Sequence, residues 1–571
     1  MKPAPSHPTP AELFTPKLVT VLREGYGPAE FRSDLVAGLT VAIVALPLSM
    51  AIAIASHASP DRGLFTAVVG GFLISLLGGS RYQIGGPAGA FIVLVASIVD
   101  RHGYDGLLLA TLMAGAMIFA LGALRLGTYI KYVPHPVTVG FTAGIAVIIL
   151  ASQIKELFGL RLAETEPSAL LPKLSAMWQA MPTFNAAAAI LAALSVAVII
   201  VLRRWRPRWP GFLIAATITA LAAFVLKLDV ETIATRFGGI PHSLPMPALP
   251  PLSIAKIQVL LPDALALALL GSIESLLSAV VADSMTGRRH RSNCELVAQG
   301  VANIACAIFG GLTATGTIAR TATNVRAGAH GPIAGILHSA FILLFMLVAA
   351  PLAGFIPLAA LAGILAVVAW NMAERAEFKS LLTSTRGDAA VMLVTFGLTI
   401  FRDLTEGIIA GVTLGSLLFM HRMAQAIEVQ THRGGLVAED VADSENGARG
   451  FGANLEAHPD IMIHRISGAF FFGTASTVAA TLERIGDAPR GYILDFSQVP
   501  FVDYSAAQSL RGFLRQATRR GAAVYLTGAP AAVRRDLIRF GIKKPLVHYG
   551  HTINDCIHAI HHGLELEQPT G

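Results

Sequence analysis

The sequence predicts a polytopic α-helical membrane protein of about fourteen spans, followed by a small cytoplasmic α/β domain. Three observations predict it. Of 571 residues, 54% are hydrophobic and only 14% are charged, where a soluble chain carries about a quarter charged residues. Apolar runs succeed one another from about residue 35 to residue 421, and most reach the roughly 18 residues that a crossing helix needs. After His421 the pattern turns polar and Gly-rich, then into short strand-like and amphipathic segments.

Residues 1–33 are a polar segment with Pro and charge, and the long run behind it does not read as a cleaved signal peptide. The apolar runs of a first half lie at about 35–56, 63–79, 88–99, 106–124, 133–152, 184–202 and 210–228. Those of a second half lie at about 260–282, 295–312, 318–328, 331–350, 356–373, 388–401 and 405–421. The expected division is a membrane domain over 34–425, with repeats of about 34–228 and 260–422, a linker over 426–458 and a soluble domain over 459–565. In the soluble part, "IMIHRISGAFFFG" and "GYILDFSQV" read as strands between amphipathic helices.

Charge gives the orientation. "RLGTYIKY", "RRWRPRW", "GRRHRSN" and "RAEFKSLLTSTRGD" fall on one side, and the positive-inside rule makes that side cytoplasmic, with both termini. The net charge of +7 resides in these short loops, so it indicates a lipid bilayer and no nucleic acid. Cys294, Cys306 and Cys556 are odd in number and far apart, which predicts neither a disulfide framework nor a metal site. No Walker A motif or nucleotide cassette is present, and a soluble enzyme is excluded by the apolar runs.

The third run opens with "GGPAGAF" and the tenth with "GTIARTATN", and both are too short to span. Seven is odd, so the second seven spans run inverted to the first. Paired short, Gly/Pro-interrupted helices in two halves point to a transporter binding site. Their N-termini then meet near the midplane, and free N–H groups with positive dipole ends make a site for an anion. Gly86 and Gly316, just before the two short helices, allow close approach of backbone.

Arg320, three residues into the tenth run, adds a full positive charge there. Its alternative role is structural, reaching a loop or forming an ion pair with Glu274. Glu274 lies mid-way along the eighth run in "LLGSIESLLSAVVAD". Burial disfavours an ionised carboxyl and a nearby cation favours it, so a group balanced between the two can load and release a proton. The expected coupling ion is H⁺, with Na⁺ as the alternative, and no other cofactor is expected. A plain helix–helix hydrogen bond is the structural alternative for Glu274.

Several polar residues read as structural. Asp283, Asn293 and Glu295 flank a basic loop and are expected to cap helices. Gln299 and Asn303 share one face of the ninth helix and are expected to join helices. Trp178, Trp205, Trp209 and Trp370 fit interfacial anchors. The histidines of "HAIHHG" are unevenly spaced for a metal site.

As a set, "DLVAGLTVAIVALPLSMAIA", "GGSRYQIGGPAGAF", "NCELVAQGVANI" and "GTIARTATN" resemble the sulfate permease (SulP) family of anion transporters. The segment "ILDFSQVPFVDYSAAQSLRGFLRQATRRGAAVYLTG" looks like that family's STAS domain. "PLSMAIAI", "IESLLSAVVADSMTG", "ARTATNVRAGA" and "VAWNMAE" look like the bacterial C4-dicarboxylic acid branch.

The resemblance implies a seven-plus-seven inverted repeat of the nucleobase-transporter type, with a core domain moving as an elevator against a gate domain, and a homodimer in the bacterial inner membrane. It carries the anion-facing positions to Leu48 and Ile52, to Ala88, and to Thr317, Ala319 and Arg320, and it matches Glu274 to the family's acidic position. Two departures stand out. Leu48 replaces a common glutamine and Ala319 a common serine, which leaves the site more apolar and fits the carbon chain of a dicarboxylate. Where related soluble domains carry a phosphorylated serine after the strand-ending aspartate, Asp503 is followed by Tyr504.

The expected function is therefore secondary active uptake of a small organic anion, a C4-dicarboxylate such as succinate or fumarate, coupled to protons. Alternatives are a transporter for an inorganic anion, sulfate or bicarbonate, the latter with Na⁺, an anion channel, or a membrane-anchored STAS scaffold with a cytoplasmic partner.

Overall fold

The computed structural model describes residues 13–130, 133–163, 166–167, 169–206, 209–402, 404–433, 460–483 and 489–562. It divides into two compact units, Met1–Gly415 and Ser416–Gly571.

The first unit is helical. Its first half contains α1 (Pro28–Ala55), α2 (Pro60–Leu77), α3 (Gly89–Ala123), α4 (His135–Leu157), α5 (Ala186–Trp205) and α6 (Gly211–Val225). A two-residue strand, β1 (Gly85–Gly86), precedes α3. The second half contains α7 (Ile254–Thr286), α8 (Ser292–Ile308), β2 (Thr315–Gly316), α9 (Ile318–Arg326), α10 (Ile333–Ala353), α11 (Leu358–Met372), α12 (Arg386–Phe401) and α13 (Leu404–Gln425). The third and fourth apolar runs merge in α3, which bends at Gly103 (φ 71°). Its short first limb corresponds to α9. With α3 taken as two limbs, the elements run seven and seven.

The packing has the same symmetry. α3 packs on α8 and α2 on α10, while α4 packs on α12 and α5 on α11. Exchanging each helix for its equivalent in the other half maps these pairs onto one another. Two bundles result. α1, α2, α3, α7, α8, α9 and α10 form a core bundle, and α4, α5, α6, α11 and α12 form a second, on which α13 packs through Gly407 and Gly411. The core bundle crosses closely on glycine: a Cβ at Gly300 of α8 would lie 2.5 Å from the Phe119 backbone nitrogen of α3. Outward faces carry exposed Leu, Ile and Phe, as a lipid-facing surface requires. The four tryptophans are all exposed, and Arg375 stacks on Trp370 at 3.9 Å.

The second unit holds a five-stranded sheet of order β3-β4-β5-β6-β7. The strands are β3 (Glu428–Arg433), β4 (Ile461–Ser467), β5 (Gly491–Gln498), β6 (Ala523–Thr527) and β7 (His548–Tyr549). β3 is antiparallel to β4 and the rest are parallel. Helices α14 (Phe472–Glu483), α15 (Tyr504–Arg519) and α16 (Ala531–Arg539) cover one face, and α17 (Ile553–His562) covers the other. Residues 428–433 lie inside the stretch expected to be a linker, and that expectation is corrected. Their alternation "EVQTHR" has few apolar residues because the strand is an edge. The remainder of that stretch, 434–458, lies outside the described residues.

Candidate anion-binding site

The site is built on the β1–β2 ladder. Gly85 pairs with Gly316 and Gly86 with Thr315, antiparallel. The chain therefore leaves the two strands in opposite directions, and α3 and α9 start beside one another pointing apart. Asn303 of α8 fixes the approach to β2, donating to the Ala314 carbonyl at 2.8 Å and accepting from its N–H at 2.8 Å. Thr317 donates to the Ile84 carbonyl through both its N–H (2.9 Å) and its hydroxyl (3.1 Å). Gln83 covers Gly316, where a Cβ would fall 1.7 Å from its side-chain nitrogen, and it donates to Ser275 at 2.9 Å.

Both helix starts are bare. The N-cap residues Ala88 and Thr317 are extended and supply no side-chain cap. The first N–H groups of each helix have no intrahelical acceptor, so two positive helix ends lie together with donors unused. Leu48 and Ile52, one turn apart on α1, share a face. They, Ala88 and Thr317 are nearly closed off, at 3–7% exposure, while Ala319 is open.

Arg320 takes the other side of α9. It is 1% exposed, and its Nη2 donates to Ser49 Oγ (3.1 Å) and to the Pro87 carbonyl (3.2 Å). Its Nε and Nη1 have no partner among the described residues. Gly86 lies against the guanidinium, since a Cβ there would come within 2.5 Å of Nη1. The cation is thus enclosed behind the helix ends and does not face an open polar cavity.

The expected proximity of Arg320 and Glu274 does not become an ion pair. Among the described residues, Glu274 makes no hydrogen bond or salt bridge. It lines a narrow apolar cleft between α7 and the second bundle, with Val137, Phe141, Leu270 and Ile408.

Sequence reasoning passed over Ser49, Gln83 and the Pro87 carbonyl. Ser49 was legible in principle: it follows Leu48, and successive helical residues point about 100° apart. Asp283, Asn293 and Glu295 do not cap the helices that flank the basic loop. Asp283 accepts from His290 N–H (3.1 Å) and faces its Nδ1 at 2.7 Å, Asn293 accepts from Gly127 (3.0 Å), and Glu295 accepts from Gly79 and Ser80. Asp283 and Glu295 tie down loops, and Asn293 holds the first residue of a short helix, Gly127–Ile130.

The sulfate permease family pattern matches residues 31–395, and the STAS domain pattern matches residues 452–555. The chain belongs to the sulfate permease family. It is 39% identical over 521 residues to a putative sulfate transporter, YvdB, of Bacillus subtilis, covering 91% of this chain and 95% of that protein. It is 31% identical over 520 residues to the bicarbonate transporter BicA of Synechocystis, covering 89% and 90%. Among solved structures, murine Slc26a9 in an inward-facing state matches with a TM-score of 0.83 at 19% identity, over 98% of this chain and 96% of that one. The transmembrane domain of a cyanobacterial BicA matches with a TM-score of 0.60 at 31% identity, over 68% and 98%. This sulfate permease family member is accordingly a multi-pass anion transporter and not an enzyme.

In its STAS domain, Asp503 caps α15, accepting from Ala506 N–H at 2.8 Å and Phe472 N–H at 2.9 Å. The residue after it, Tyr504, is exposed against the Phe540 ring. His558 and His562 of α17 stack on each other, and no cluster of metal-ligating groups occurs among the described residues.

Proposed function

We propose that the protein is a secondary active transporter of a small inorganic oxyanion, sulfate or bicarbonate, in a bacterial inner membrane. The anion binds at the opposed starts of α3 and α9. Leu48, Ile52, Gly86, Ala88, Gly316, Thr317 and Ala319 form its walls, backbone N–H groups donate to it, and Arg320 supplies the field and one charge-assisted hydrogen bond. The observation that carries this reading is Arg320 itself, a fully buried cation with donors unpartnered and no counter-ion among the described residues. An enclosed cation of that kind is stabilised when an anion arrives.

The relatives named for sulfate and bicarbonate move the reading away from C4-dicarboxylates, which the apolar Leu48 and Ala319 favour. Glu274 is the group for a coupling cation, H⁺ or Na⁺. It lies in the cleft between the bundles, so its charge state can bias an elevator movement of the core. Homodimerisation and a cytoplasmic partner of the STAS domain belong to the same reading.

The test is uptake into proteoliposomes of labelled sulfate, bicarbonate and succinate, each with an inward proton gradient, an inward Na⁺ gradient, or neither. Gradient-driven accumulation of sulfate or bicarbonate is expected. Accumulation of succinate alone restores the dicarboxylate reading. Conductive flux indifferent to every gradient makes the protein a channel.

A further inference from the structure

α10 carries a histidine that the anion site does not use. His338 is fully buried, and neither of its ring nitrogens has a hydrogen-bond partner among the described residues. Its surroundings are tight: a Cβ at Gly38 of α1 would come within 3.2 Å of the His338 backbone nitrogen, and the adjacent Ser339 donates to the Ala67 carbonyl of α2 at 3.1 Å. Ala67 joins this region to Arg320, since a Cβ at Gly86 would lie 3.6 Å from the Ala67 Cα and 2.5 Å from Arg320 Nη1. Arg320 Nε and Nη1 are likewise without partners. So is Ser75 Oγ of α2, which lies against Gly335, one turn before His338 on the same face of α10.

These buried orphan atoms of α2, α9 and α10 need partners, because buried polar groups are almost always satisfied by protein or by ordered water. The chemistry of these groups selects the partner. A guanidinium only donates, and a neutral imidazole offers one donor and one acceptor. Water accepts from the first and donates to the second. We propose that a hydrated chamber lies behind the anion site between α2, α9 and α10, and that His338 is a positioning residue which, through ordered water, holds the Arg320 guanidinium in register with the two helix starts. The proposal rests on the reading that the anion binds beside Arg320. It adds a determinant on α10, a helix that contributes nothing to the walls of the site.

The experiment uses the purified full-length protein. Sulfate and bicarbonate titrations followed by thermal shift, with uptake kinetics in proteoliposomes, compare wild type with His338→Phe, His338→Gln and Arg320→Met. Millisecond radiolytic footprinting of the wild type reports directly on bound water at His338, with fully buried Met346 of the same helix as the dry control. The expected result is a roughly tenfold rise in Kd and KM for His338→Phe with maximal rate within about twofold. His338→Gln restores both, since it keeps a donor and an acceptor. His338 is oxidised in footprinting and Met346 is not. Wild-type anion affinity in His338→Phe overturns the positioning role, and protection of His338 from footprinting overturns the chamber. If His338→Phe does not fold, His338→Gln affinity and the footprint decide. If Arg320→Met binds anions like wild type, the anion site has been misplaced, and the footprint alone judges the chamber.

Discussion

Replacing Arg320 with methionine separates an anion-binding arginine from a structural one. Methionine keeps most of the length of the side chain and removes the charge and all five donors. In the free protein the guanidinium has, among the described residues, two hydrogen bonds, to Ser49 and Pro87, and no carboxylate partner. A buried cation so poorly compensated contributes little or negatively to stability, so the unliganded variant should melt at the wild-type temperature or above it. With anion bound, the loss is one charge-assisted hydrogen bond plus attraction between unlike charges at close range. A hydrogen bond to a charged group contributes about 1.5–3 kcal/mol, so a total near 3 kcal/mol is a modest figure and corresponds to roughly 150-fold in Kd. At an anion concentration about 100 times the wild-type Kd, binding stabilises wild type by about 2.7 kcal/mol and the variant by only about 0.3 kcal/mol. Thermal denaturation in detergent with and without sulfate or bicarbonate reads both quantities. A variant with a lower unliganded melting temperature and an undiminished anion-induced shift would refute the reasoning, because Arg320 would then be a structural strut.

Other substitutions probe separate parts. Glu274→Gln should abolish accumulation against a gradient while leaving anion exchange between equal pools intact, measured by counterflow in proteoliposomes. Gly316→Ala forces a Cβ into Gln83 and should abolish uptake. Gly397→Ala meets nothing within 4 Å and should be neutral or stabilising by about 0.5–1 kcal/mol, with melting curves separating the two. In the STAS domain, burial pushes the His464 imidazole down to about 4. The unfolded chain, titrating near 6.5, binds more protons between those values. Stability is therefore full above about pH 6.5 and falls by about 3 kcal/mol as pH drops toward 4. Hydrogen exchange of β4 amides across that range should accelerate in wild type more than intrinsic chemistry explains, and less so in His464→Phe.

The fold was largely legible because a bilayer imposes a coarse rule on sequence: long apolar runs, short basic loops and two interrupted helices at equivalent places. The helix starts before Gly89 and Ile318 could be read from Gly, Pro and small residues alone. What escaped depends on side-chain direction and on partners far away in sequence. Arg320 turns inward to Ser49 and not toward an open cavity, and nothing local in "GTIARTATN" specifies which side of a short helix is open. Glu274 and Arg320 are both buried charges, yet they serve different faces of α7 and α9. β3 was missed because an edge strand with one covered face needs few apolar residues. Glu295 looked like a cap from its position, whereas its Oε2 accepts from Gly79 and Ser80, 216 and 215 residues away, and its Oε1 from Gln299.

The β1–β2 ladder has a consequence for biogenesis. The Ile84 carbonyl and the Thr317 hydroxyl that bonds to it are 233 residues apart in the chain. At about 5–20 residues per second, a ribosome takes on the order of 10–50 s to cover that distance. Through that interval the first repeat is already in the membrane with a strand unpaired, and in lipid an unpaired backbone group is costly. A nascent half-transporter is therefore a client for whatever insertase or chaperone shields polar backbone inside the bilayer. A chain truncated between the repeats should be degraded and not accumulate as a stable half.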